Sequence, residues 1–183
     1  MLTLLVTACV QAPPPKAAAT SKPVKVVRTA GEPAALAGIT DAHNRVRARV
    51  GAPPLRWSAT LAETATRWAN TCVDNQSPRG LLDHSPQPKN IADGPLGENI
   101  YATTALAADP IAAVQDWASE AVYYDQKLNT CSGGACGHYT QLVWSATREV
   151  GCGVGSCPHL KYPSTLVCNY SPVGNVIGQR PYP

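Results

Sequence analysis

Seven cysteines in a chain of 183 residues constrain this protein more than any other feature. A reducing cytosol rarely holds that many thiols in so short a chain, and none of the seven forms a CxxC pair of the structural-zinc or redox kind. The expectation is an exported, oxidised protein with six cysteines in disulfides. Six cysteines allow fifteen connectivities, and spacing alone does not choose among them. Covalent links matter here because 14 Gly and 17 Pro commit much of the backbone to turns, while Phe is absent and Met occurs once. One domain of about 140 to 150 residues plus a tail fits the length. The net charge of +3 is spread along the chain without a basic run, which excludes nucleic acid as the expected partner. Past the first residues, no stretch reaches the roughly 18 apolar residues of a membrane span.

The start, MLTLLVTAC, reads as a partial signal peptide over residues 1–9. Its apolar run from Leu2 to Val6, followed by Thr7, Ala8 and Cys9, resembles a bacterial lipobox, in which cleavage leaves an acylated cysteine. The expected membrane attachment is a lipid anchor at Cys9 and nothing else. The leader lacks its usual positive charge and its run is short, so a truncated plain signal peptide and a chance start stay open. Residues 10–35, rich in Pro and Ala, read as a linker, and residues 36–183 as the domain.

Within the domain, apolar residues three and four apart predict a helix over 36–50, with Leu36, Ile39, Ala42 or His43, Val46 and Val50 on one face and Thr40 or Asp41 as cap. A second helix is expected from a Ser58 cap to about Asn75, carrying Cys72 on its inner stripe. Residues 76–105 show no regular pattern, and loops of that length are commonly functional or disordered. Asp109 and Pro110 mark the start of a third helix running to about Tyr124, with Ile111, Val114, Trp117, Ala118 and Ala121 inward and Glu120 at the edge of that stripe. A carboxylate at that edge needs a partner. Residues 138–144 read as a short helix or turn, and strands are expected near 149–155 and 165–170.

Four residues carry the chemical signal: His84, Glu98, Glu120 and His138. Two imidazoles and two carboxylates can hold a divalent cation, or the carboxylates can orient the imidazoles. Their separations of 14, 22 and 18 residues contain no local metal motif, so spacing alone does not assemble them.

The surrounding motifs are more specific. GENIY (97–101), the WxxE of Trp117 to Glu120, CGHYTQLVW (136–144), GCGVGSC (151–157) and CNYSPVGN (168–175) resemble, in order and spacing, the CAP superfamily of cysteine-rich secretory proteins, antigen 5 and pathogenesis-related group 1 proteins. The likeness covers about 38–182 and is nearest to the plant group, while the lipobox-like start suggests a bacterial member. The resemblance implies an α+β fold, a three-layer α-β-α sandwich around an antiparallel sheet of three or four strands. It implies disulfides Cys72–Cys157, Cys131–Cys136 and Cys152–Cys168, leaving Cys9 over. It also implies that His84, Glu98, Glu120 and His138 share one cleft, where zinc or another divalent cation would sit on His84 and His138, with Glu98 and Glu120 as further donors.

Two functions from different classes follow. One is a secreted or cell-envelope protein binding a lipid- or sterol-like ligand or an extracellular protein around the cleft. The other is a metal-dependent, peptidase-like hydrolase with Glu98 or Glu120 as base; whether any turnover occurs stays open. Ser85 beside His84 is a poor nucleophile, since adjacent side chains diverge. His43 and Arg47 read as packing and hydrogen-bonding residues. Gly133 and Gly134 read as turn residues, and Gly137 as making room for close backbone approach. Pro172 to Tyr182 resembles a peptide that plant relatives release; here it is read as closing the sheet.

Overall fold

A computed structural model describes residues 29–77, 79–86 and 94–183. Cys9 and the proposed start lie outside the described residues. Four helices pack on a four-stranded sheet, as an α-β-α sandwich. The helices are α1 (Ile39–Ala48), α2 (Ala59–Ala69), α3 (Pro110–Ser119) and α4 (Gly137–Leu142). The sheet runs in the order β1 (Arg56–Trp57), β5 (Glu149–Ser156), β6 (Ser164–Ser171), β2 (Gly97–Thr103). Its three long strands are antiparallel, and the two-residue β1 adds a parallel edge that the sequence gives no sign of. A separate small ladder pairs β3 (Tyr124–Asp125) with β4 (Thr130–Cys131).

Strand alternation sorts the core into two layers. Leu166, Cys168 and Tyr170 of β6, with Val150 and Cys152 of β5, face α1, α3 and α4 and join Ile39, Val46, Val114, Trp117 and Leu142. Val167 faces the other way and packs with Ala65, Ala69, Leu82 and Cys157 under α2. The opposite face of β5 is glycine. A Cβ on Gly151 would lie 2.2 Å from the Ala62 amide nitrogen, one on Gly153 2.4 Å from the Thr66 Cα, and one on Gly155 2.1 Å from the Ala69 carbonyl oxygen. The GCGVGSC motif is therefore a seat for a helix backbone.

The three disulfides implied by the family likeness are all formed: Cys72–Cys157, Cys131–Cys136 and Cys152–Cys168. Cys152 and Cys168 sit opposite each other on β5 and β6. On a chain-entropy view the 85-residue loop closed by Cys72–Cys157 makes that bridge the largest contributor, about 4 to 5 kcal/mol.

Several expectations change. Glu32, inside the stretch read as linker, is buried; its carboxylate accepts from the amides of Gly38 and Thr40 at 2.8 and 2.9 Å and caps α1 in place of Thr40 or Asp41. The second helix stops at Ala69 rather than near Asn75, so Cys72 lies beyond it, at a positive φ of 54°. Residues 97–103, read as irregular, form β2. The third helix ends at Ser119 and continues as a 3-10 turn over Glu120–Tyr123, which leaves Ala121 exposed. Nothing lies within 4 Å of a Cβ built on Gly137; the crowded glycine is Gly134, against the Tyr123 ring. The C-terminal segment packs on α4 instead of extending the sheet, through Gly174 to Gln141, Asn175 to Thr140, and Tyr182 to Tyr139.

Two basic side chains fix α1. Arg47 is fully buried, and its guanidinium donates to the carbonyls of Pro53, Leu142, Trp144 and Thr147. His43, also buried, donates through Nδ1 to the Ile39 carbonyl at 2.8 Å and through Nε2 meets the Tyr170 hydroxyl at 2.9 Å. Both therefore serve packing and hydrogen bonding, as expected from their place on the first helix.

Replacing Gly153 with Ala should cost about 3 kcal/mol or more in urea unfolding, because backbone of α2 rather than a movable side chain occupies the space. Burial also lowers the His43 pKa from 6.5 to about 4. The unfolded chain thus binds this proton first as pH falls, so stability declines between pH 6.5 and 4 by about 3 kcal/mol and no further below. That share should appear as the difference between wild type and His43→Gln in unfolding measured across pH.

Candidate functional site

The four signal residues meet as two matched pairs. Glu98 stands on β2 and reaches the segment that follows α2, where its Oε1 accepts from His84 Nδ1 at 2.8 Å and from the Ser85 amide at 2.9 Å. Its Oε2 accepts from the Ser85 hydroxyl at 2.6 Å. Glu120, just past α3, accepts from His138 Nδ1 at 2.7 Å through Oε1, and through Oε2 from the amides of His138 and Tyr139 at 2.9 and 3.2 Å. Those amides belong to the first turn of α4, where intrahelical acceptors are missing, so Glu120 doubles as its cap. This is the partner that its edge position demanded.

The glutamates are sunk and the imidazoles stand proud. Side-chain exposure is 3% for Glu98 against 63% for His84, and 17% for Glu120 against 35% for His138. Both histidines line one cleft of about 570 Å³, with Leu82, Asp83, Tyr101 and Asp116 among its walls. The hydrogen bond to Glu98 raises the His84 pKa, outweighing the opposing effect of burial.

Neighbours that motif reading did not assign to the site hold it in place. The Trp117 ring stacks on His138 at 6.3 Å between centroids and also meets His43 edge-on at 6.1 Å. The Asn99 side-chain amide donates to the His138 carbonyl. Trp68 Nε1 donates to the Asp83 carbonyl and fastens the residue before His84. Only WxxE hinted at any of this, by placing Trp117 one turn before Glu120.

The metal expectation is not met. Among the described residues no group of three or more His, Cys, Asp or Glu is arranged to hold a metal ion. The reason is visible in the pairing: each glutamate is taken by its histidine and two further donors, which leaves only the two imidazole Nε2 atoms and, among the described residues, no third donor grouped with them. The six described cysteines are bridged and supply no thiolate. Zinc or another divalent cation on His84 and His138 is therefore withdrawn, along with the metal-activated water that a hydrolase would need.

Titration of the His84 ring followed by NMR should give a pKa above 6.5 that moves back toward that value in Glu98→Gln. Because the folded value is raised, the His84–Glu98 pair stabilises the fold fully below pH 6.5, and its contribution fades as pH rises through the folded pKa.

Residues 40–170 match the Cysteine-rich secretory protein family, CAP. The chain is 38% identical over 168 residues to GLIPR1-like protein 1 of Mus musculus, covering 85% of this chain and 67% of that protein. It is 40% identical over 141 residues to pathogenesis-related leaf protein 4 of Solanum lycopersicum, covering 76% and 79%. Animal and plant relatives thus stand at similar identity, and no special closeness to the plant group is shown. Among solved structures, NaASP2 with Zn2+ superposes with a TM-score of 0.57 at 26% identity, covering 79% of this chain and 82% of that one. By sequence motif, fold and paired His/Glu cleft, the chain belongs to the CAP, or cysteine-rich secretory protein, family.

Proposed function

We propose that the chain works outside the cell by binding, and that the His84/His138 cleft receives its ligand, a lipid- or sterol-like molecule or a macromolecular partner. The observation that supports binding over turnover is the state of the two carboxylates. A general base must point a lone pair at its substrate. Glu98 and Glu120 each accept three hydrogen bonds from their own surroundings, and Ser85, the nearest hydroxyl, donates into Glu98. The cleft has the size of a ligand site, and Leu81, Leu82, Ile100 and Ala102 give it apolar wall beside the polar groups.

A second surface suits an acid-headed lipid. Between α1 and α3 runs a groove of about 270 Å³ with Ala42, Val46, Ile111 and Val114 as floor and Arg45 and Arg49 among its lining residues. Three disulfides support export, and the start supports a bacterial member anchored through Cys9. The nearly filled CxGGxCGHYTQ and CNYxPxGNxxGQxPY patterns support kinship with the plant group.

The test is saturable binding of dehydroergosterol and cis-parinaric acid to the intact oxidised chain. Tyr101→Ala in the cleft should weaken uptake there by about tenfold, and Arg49→Glu should do so in the groove. Steady hydrolysis of peptides or esters that vanishes in Glu98→Gln would overturn the binding reading.

A further inference from the structure

The cleft has a one-sided hydrogen-bonding character. Carboxylates only accept, so the proton of each neutral imidazole sits on Nδ1, facing Glu98 or Glu120. Nε2 of each neutral ring is then a bare acceptor, for His84 at pH above its raised pKa. Asp116, exposed on α3 in the same wall, carries no side-chain hydrogen bond or ion pair with a described residue. The Asp83 carboxylate is held by the amides of Asn75 and Gln76 and adds negative charge beside His84. A ligand for these groups must bring donors, and cationic ones best.

The third wall is backbone. β2 is the last strand of its sheet, and Ile100, Tyr101 and Ala102 line the cleft. Trp117 Nε1 donates to the Ile100 carbonyl, so the peptide groups of Ile100 point away from β6. Alternation along an antiparallel ladder turns those of Ala102 the same way. Among the described residues no backbone group meets the Ile100 amide or the Ala102 amide and carbonyl on that side. Unpaired strand edges of this kind are where an added strand pairs.

We propose that the cleft takes an extended peptide segment of a partner protein, paired along the outer edge of β2 at Ile100 and Ala102, with an arginine or lysine of that segment donating to Asp116 and to the imidazole Nε2 atoms. The inference rests on the binding reading of this cleft and narrows its ligand to a basic peptide. A sterol offers one hydroxyl and no way to use the strand edge. The whole chain is +3, so it is local rather than net charge that selects the partner.

The probe is the capped peptide Ac-Thr-Val-Arg-Val-Thr-NH2, titrated by NMR into the oxidised full chain. It should shift the amides of Ile100 and Ala102 and both imidazoles, and bind about tenfold tighter than its citrulline analogue, a gap that Asp116→Asn should close. Equal binding of the arginine and citrulline peptides would overturn the proposal. So would undiminished binding after N-methylation of alternate peptide amides. If dehydroergosterol perturbs the cleft and the peptide does not, the peptide assignment falls while the binding reading stands; if neither ligand perturbs it, both fall.

Discussion

The contact on which the rest depends is bare backbone against bare backbone. Ala62, Thr66 and Ala69 of α2 approach β5 where only glycine stands, at 151, 153 and 155, so peptide groups set the separation of helix and sheet. That fixed height propagates. Trp68, on the same helix, ties down Asp83, and the bridge from Cys72 to Cys157 closes the helix end onto the strand. The segment carrying His84 is thereby delivered to Glu98 on β2, two strands away from the glycine seat.

The opposite layer is fixed by two buried basic groups that resolve the same problem differently. Desolvation disfavours both charges. Arg47 keeps its charge: burial pulls its pKa from 12.5 down to about 10, still far above neutrality, and four carbonyls accept from the guanidinium. His43 starts at 6.5, so burial takes it to about 4 and it gives its charge up, facing one carbonyl and one tyrosine hydroxyl. Arg47 holds the end of α4 through Leu142, while Glu120 holds its beginning, so His138 rides on a helix pinned at both termini. Trp117 contacts both buried His43 and His138, and so joins the core to the cleft.

What could be read in advance follows the range of the interactions involved. Asp109 with Pro110, and Ser58, are local caps, and both sit where the sequence puts them, with Asp109 accepting from Ile111 and Ala112 and Ser58 from Leu61. Long motifs, through family likeness, carried the three bridges and the expectation that His84, Glu98, Glu120 and His138 converge, but not which histidine meets which glutamate. Contacts between distant segments left no trace in periodicity. Glu32 caps a helix from across a turn, and β1 gains its identity only from pairing with Glu149 and Val150. β2 was hidden because GENIYAT mixes burial on both faces instead of alternating cleanly. The metal expectation failed for a related reason: residue types show that donors are present, whereas only coordinates show that the two carboxylates are already engaged and that no third donor among the described residues joins the imidazoles.

The saturation of the two glutamates bears on how such a domain can change over time. Glu98 secures the Ser85 amide and Glu120 secures the first turn of α4, so each would be needed with no imidazole beside it. A descendant can lose His84, exposed as it is, and keep its architecture; losing either glutamate strands part-buried amide donors. Persistence of the acids across a lineage is accordingly a record of folding, and drift at the imidazoles a record of what each descendant was selected to hold.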